Sequence, residues 1–181
     1  MIFPTKTITL KNGAVAALRA PAAGDGEALI ELLKITTGET DFLSGYPEEI
    51  TMTAEDEERW IAGHRDSPLT LDILCEIDGM IVGSCALTRC KPIKKRHRAT
   101  VGLCIRQSFW NLGIGTAMLQ ETFEQARAWG VAQIELCYIE GNERGARLYE
   151  KLGFCETARH PDAIRLKDGT SLCEICMIKK L

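Results

Sequence analysis

No uncharged apolar run in this chain of 181 residues approaches the roughly 18–20 residues that a membrane-spanning helix needs. The opening MIFPTKTITLKNG has neither the apolar core nor the small-residue cleavage pattern of an export signal. Repeats, low-complexity tracts and linkers are also missing, so the reading is one domain over residues 1–181. Positive charge is not in surplus: the formal net charge is −3, which offers no general attraction for nucleic acid. The one basic run, KPIKKRHR at residues 91–98, reads as a solvated loop between strands. The expectation is a cytoplasmic protein with no nucleic-acid or membrane partner.

Cysteine, by contrast, is plentiful. The eight cysteines (Cys75, Cys85, Cys90, Cys104, Cys137, Cys155, Cys173 and Cys176) mostly interrupt apolar runs. A free thiol in such a run behaves as a small hydrophobe, and without an export signal reduced thiols are expected. The CEIC pair, Cys173 and Cys176, falls in a strand-like segment, where residues three apart face opposite ways. No second pair with zinc-ligand spacing accompanies it, so no metal site is expected.

The order of elements follows from periodicity. TITLKNGAVAALRA alternates around Asn12-Gly13 and predicts a hairpin. GDGEALIELLKITTG predicts a helix capped by Asp25 and stopped at Gly38; TMTAEDEERWIAGHRD predicts a second, opened by Thr51 or Thr53. Two strands then flank Asp78-Gly79, and ATVGLCI makes a third. A long helix follows, with Met118, Leu119, Thr122, Phe123, Ala126 and Trp129 on one side. QIELCYI is a strand, NERGARLYEKLG a short helix ending at Gly153, and the remainder a strand pair turning at Asp168-Gly169. The class is mixed α/β with a largely antiparallel sheet.

FWNLGIGTAMLQETFEQARAWG, residues 109–130, places Gly113 and Gly115 at the mouth of that long helix. A nucleotide-binding loop of the Gly-Lys-Ser/Thr type is excluded, because Thr116 and Ala117 follow Gly115. A dinucleotide fingerprint is excluded as well, since Met118 stands where its third glycine belongs. What remains is a helix N-terminus whose first amides lack intrahelical acceptors, a site suited to an anion such as pyrophosphate. A glycine-softened helix start without a ligand is the alternative for this segment taken alone.

IRQSFWNLGIGTAML together with NERGARLYEKLGF, residues 142–154, resembles the GNAT superfamily of acyl-CoA-dependent N-acyltransferases. The order of elements matches over nearly the whole chain. Trp110 stands where the usual loop has Arg or Gln, a variant similar to branches that acetylate protein N-termini, amino acids and small amines. The resemblance implies a central, mostly antiparallel sheet, splayed between residues 99–105 and 133–138 and flanked by helices. It implies acetyl-CoA as co-substrate, with its pantetheine arm against the backbone of Leu103, Cys104 and Ile105. The amides of Asn111, Leu112, Gly113, Ile114, Gly115 and Thr116 would hold the pyrophosphate. Asn142 would bond the pantetheine arm or acyl end, and Tyr149 would protonate the leaving thiolate. A homodimer is a further implication by analogy.

The acceptor is expected to be a primary amine attacking directly, either on a small molecule such as an amino acid or at a protein N-terminus. The positions where relatives carry a carboxylate base are Ala99 and Cys137 here. Glu135, Glu140 and His97 are the nearby candidates, with the face of Glu135 open. A lysine-like amine near pKa ~10.4 is neutral about once in 2500 at pH 7, a peptide α-amine near ~8 about once in ten. Lacking a base, α-amines are the easier acceptors. Tyr46, Glu48 and Glu49 would neutralise the acceptor's charge, with Phe42 and Tyr46 against its apolar part; a solvated acidic loop is the other reading. A non-catalytic acyl-CoA-binding module that senses cofactor level is the alternative to an enzyme.

Overall fold

The computed structural model describes residues 2–181. Strands β1 (Lys6–Thr9) and β2 (Val15–Arg19) form the first hairpin, its turn completed by Gly13 at φ +85° and by the Asn12 side chain accepting from the Ala14 N–H. Helix α1 (Gly26–Gly38) starts after Asp25, but that carboxylate does not cap it. It accepts from the Arg19 guanidinium at 2.6 and 2.9 Å and from the Ala22 N–H at 2.7 Å, so the strand cation outcompetes the helix amides. Arg19 also reaches Glu76, tying β2, β3 and the start of α1 together. Helix α2 (Ala54–Asp66) is opened by Thr53, whose hydroxyl and the Asp56 carboxylate cap each other's backbone.

Strands β3 (Thr70–Ile77) and β4 (Met80–Arg89) join through Asp78 and Gly79, both at positive φ, as a two-residue hairpin requires. β5 (Arg98–Ile105) follows the exposed basic loop. The remaining elements are α3 (Ile114–Ala128), β6 (Gln133–Ile139), α4 (Glu143–Lys151), β7 (Cys155–Arg165) and β8 (Ser171–Lys180). They complete an eight-stranded sheet in the order β1-β2-β3-β4-β5-β6-β8-β7.

Alternation along β3 sends Ile73 and Cys75 to one face and Leu74 to the other. The first face meets Met118, Leu119, Phe123 and Ala126 of α3; the second meets Leu29 and Leu32 of α1 and Ile61 of α2. Helices therefore cover both faces, and no helix among the described residues is long and apolar enough to cross a membrane. Among the described residues every strand pair is antiparallel except β5 with β6, which run parallel and pair only at Arg98↔Gln133, Ala99↔Ile134 and Thr100↔Glu135. The Arg98 and Glu135 side chains clasp this short seam. Beyond it the two strands part.

Candidate active site

The parting of β5 and β6 opens a cavity of about 700 Å3. From Val101 onward β5 is bonded to β4 on one side only, which leaves a strand edge facing the cavity. Leu103, Cys104 and Ile105 all line it. The Ile105 carbonyl is already taken, accepting from the Trp110 indole N–H at 2.7 Å. The Cys104 thiol is packed toward α1, and burial raises its pKa.

At the mouth stands the start of α3. Gly113 adopts φ +95°, a conformation open to glycine at little cost, and its carbonyl accepts from the Ala117 N–H. The amides of Ile114, Gly115 and Thr116 thus head the helix without intrahelical partners, and all three residues line the cavity with Asn111 and Gly113. Leu112 does not: its side chain packs into the core and its carbonyl accepts from the Lys11 N–H. Gly115 has a packing role. A Cβ there would lie 3.0 Å from Leu148 Cδ2 and 3.3 Å from Leu103 Cδ2, so this glycine lets α3 approach α4 and β5 closely.

Lys11, Arg144, Arg147 and Lys151 add positive charge to the lining. Arg144 lies over the Trp110 ring, 3.0 Å from its centroid. Burial, and then the neighbouring Arg147, hold the Arg144 guanidinium below its ordinary range. A strand edge, free helix amides and four cations together fit a long ligand bearing amides and phosphates. The donor set therefore suits coenzyme A.

Asn142 caps α4: its Oδ1 accepts from the Gly145 N–H at 2.9 Å, leaving the amide NH2 for the cavity. A Cβ at Gly145 would come within 2.9 Å of that side chain, so a larger residue there would push the cap aside. Tyr149, on the same helix, packs its ring 5.9 Å from Phe154 and 6.1 Å from Tyr138 while lining the cavity. Burial pushes its hydroxyl up to about 12.

The expected bases and acceptor contacts are sorted by the fold. Glu135 is engaged by Arg98 and Gln133, Glu140 accepts from the Cys173 N–H, and exposed His97 gives its backbone carbonyl to the turn before β6. None of the three lines the cavity. Tyr46 and Glu48 also turn away, toward Lys167 in the β7–β8 turn, and Glu49 caps the short turn that it ends. Phe42 does reach the cavity, with Thr36, Thr40, Leu43, Ser44 and Ile164. The carboxylate that does line it is Glu174 of β8, which sequence reasoning missed. Its signal is CEIC itself: on a strand Glu174 shares a face with Cys176, and β8 lies beside β6.

The thiols need one correction. Cys137 and Cys176, directly opposed across β6 and β8, are joined as a disulfide, which isolated strand patterns do not disclose. The other six are free among the described residues, and burial pushes the Cys75 and Cys85 thiols up to about 12, in keeping with small apolar side chains.

A family model described as the acetyltransferase (GNAT) family matches residues 32–154. The L-amino acid N-acetyltransferase AaaT of Escherichia coli (strain K12) is 28% identical over 96 residues, 52% of this chain and 59% of that protein. The match thus spans about three fifths of this relative's length. A GNAT-family acetyltransferase structure from Streptococcus pneumoniae superposes with a TM-score of 0.86 at 25% identity, covering 92% of this chain and 99% of the other. The structure of yncA from Salmonella typhimurium, solved with its cofactor acetyl-CoA, gives 0.79 at 18% identity, over 92% and 94%.

Proposed function

The chain belongs to the GNAT family of acetyltransferases, and from that membership we propose that it transfers an acetyl group from acetyl-CoA to a primary amine in the cavity between β5 and β6. The observation that carries this reading is the coincidence, at one opening in the sheet, of an unpaired strand edge and the free amides that head α3. When bound, acetyl-CoA supplies an activated thioester carbonyl.

The chain's own groups then have distinct tasks. The amides of Gly113, Ile114, Gly115 and Thr116 hold the pyrophosphate: a charge-assisted hydrogen bond contributes about 1.5–3 kcal/mol, and the helix dipole about 0.3–1 kcal/mol. Lys11, Arg144, Arg147 and Lys151 supply longer-range attraction for the phosphates. The free edge of β5 pairs with the pantetheine amides as an added strand would, and a backbone N–H of the same edge faces the thioester oxygen. The Asn142 NH2 donates to the arm. Tyr149 donates its hydroxyl proton toward the departing sulfur. With the hydroxyl at about 12 and a thiol near ~8.5, full transfer costs about 5 kcal/mol in reference terms, so the proton crosses only as charge builds on sulfur.

The acceptor is a small amine-bearing molecule or a protein N-terminus. The curated relative's name supports an L-amino acid, and the mixed lining of Thr40, Phe42, Leu43 and Ile164 suits a compact acceptor with an apolar body. The test is release of free coenzyme A on addition of L-methionine, L-phenylalanine, spermidine, kanamycin or a tetra-alanine peptide. Turnover with one class supports the reading and names the acceptor. Tight acetyl-CoA binding without turnover on any of them contradicts it and favours a sensor.

A further inference from the structure

Among the described residues, Glu174 is the one carboxylate in the cavity lining, against the four cations Lys11, Arg144, Arg147 and Lys151. It stands on β8, opposite Ile139 of β6 and His160 of β7. The cations come instead from the β1–β2 turn and from α4. One Glu174 oxygen lies within 4.8 Å of both the Cys137 and Cys176 sulfurs. That places the carboxylate beside the Cys137–Cys176 bond that ties β6 to β8.

No hydrogen bond or ion pair engages this carboxylate among the described residues. Glu140, at the end of the neighbouring β6, is by contrast occupied by the Cys173 N–H. A half-buried carboxylate without a protein partner, facing a cavity, is a site for a cation from solution. Phe42, Ile139 and Ile164 supply apolar surface in the same lining.

We propose that Glu174 binds the acceptor's primary ammonium and takes its proton, completing the cavity's chemistry with a base delivered from the last strand. The inference rests on the acetyl-transfer reading of the same cavity. The ammonium gives one proton to the Glu174 carboxylate, which frees the nitrogen lone pair. That pair forms the N–C bond to the thioester carbonyl carbon as the C–S bond breaks, its electrons going to sulfur. Nitrogen loses a second proton and sulfur gains one by way of Tyr149. An ammonium and a thioester thus become an amide, a thiol and one proton, which Glu174 returns to solvent.

The titratable and charged groups that share its strand pairings or its cavity are His160 on β7, Glu140 at the end of β6, and Tyr138, Tyr149 and the four cations in the lining; Cys137 and Cys176 are bonded and do not titrate. His160 is its cross-strand neighbour and is the necessary control.

The experiment measures kcat/KM for the amine that turns over, from pH 6 to 8.5, in the wild type, Glu174→Gln and His160→Asn. Acetyl-CoA affinity confirms that each variant is folded. The wild type and His160→Asn are expected to give nearly level profiles, since the bound ammonium is deprotonated in place. Glu174→Gln is expected to lose about 100-fold at pH 6.5. Its residual rate should climb about tenfold per pH unit toward the amine's own pKa, as only free amine then reacts. A Glu174→Gln rate and profile like the wild type's overturns the proposal. A second arm titrates the same five amines calorimetrically into each protein loaded with coenzyme A thiol. Amine binding lost in Glu174→Gln, with no turnover by the wild type, retains the ammonium site and overturns acetyl transfer. Equal amine binding by both proteins overturns the site.

Discussion

Burial moves the Tyr149 hydroxyl from the ordinary tyrosine range near ~10 to about 12. The phenol is the form that donates to sulfur, and it persists below its pKa. Raising that pKa therefore carries any alkaline loss of activity beyond the range where an exposed tyrosine would begin to ionise. Tyr149→Phe is expected to lower kcat about 10- to 100-fold with acetyl-CoA affinity retained. The wild-type kcat should show no falling limb from Tyr149 up to pH 10, which a pH–rate profile checks. At this scale the sequence is partly legible. Asn142, Tyr149, Gly113 and Gly115 line the cavity, and it is the resemblance of their segments to a family, not periodicity, that points to them. CEIC points to Glu174, and to the Cys137–Cys176 bond, only once β6 is known to pair with β8, segments more than thirty residues apart. Tyr46 and Glu48 mislead for the same reason: their partner Lys167 lies in a turn at the far end of the chain.

Helix α3 joins the core to the site. Its buried stripe of Met118, Leu119, Phe123 and Ala126 fixes it on the sheet, and that anchoring holds its free amides at the cavity mouth. Gly113 sets the direction of approach through its left-handed conformation at φ +95°. Gly113→Ala is expected to cost about 1–2 kcal/mol of stability, the penalty of a Cβ in that region, and to weaken acetyl-CoA binding. Denaturant unfolding and equilibrium binding measure the two effects; an unchanged midpoint would remove the conformational role. Elements are the most legible scale, since period and turn chemistry suffice for most of them. The start of α1 is the instructive exception. Asp25 reads as a cap, yet a guanidinium on β2 is the stronger partner for its carboxylate. That competition is long-range and leaves no trace in the local pattern.

Across the whole molecule, the decisive feature is the one parallel pair in an otherwise antiparallel sheet. β5 and β6 bond at only three positions before parting, and the open edge, the α3 amides, Tyr149 and Glu174 all border the gap. The order of elements suffices to suggest a splayed sheet through family resemblance. Periodicity alone does not, because it carries no information on where a ladder stops. The central claim is that this gap seats acetyl-CoA. Hydrogen–deuterium exchange of the whole protein, with and without acetyl-CoA, tests it most directly. Slowed exchange confined chiefly to residues 101–105 and 111–116 is the expected result. Unchanged exchange over both segments at saturating acetyl-CoA, or slowing only elsewhere, would contradict it.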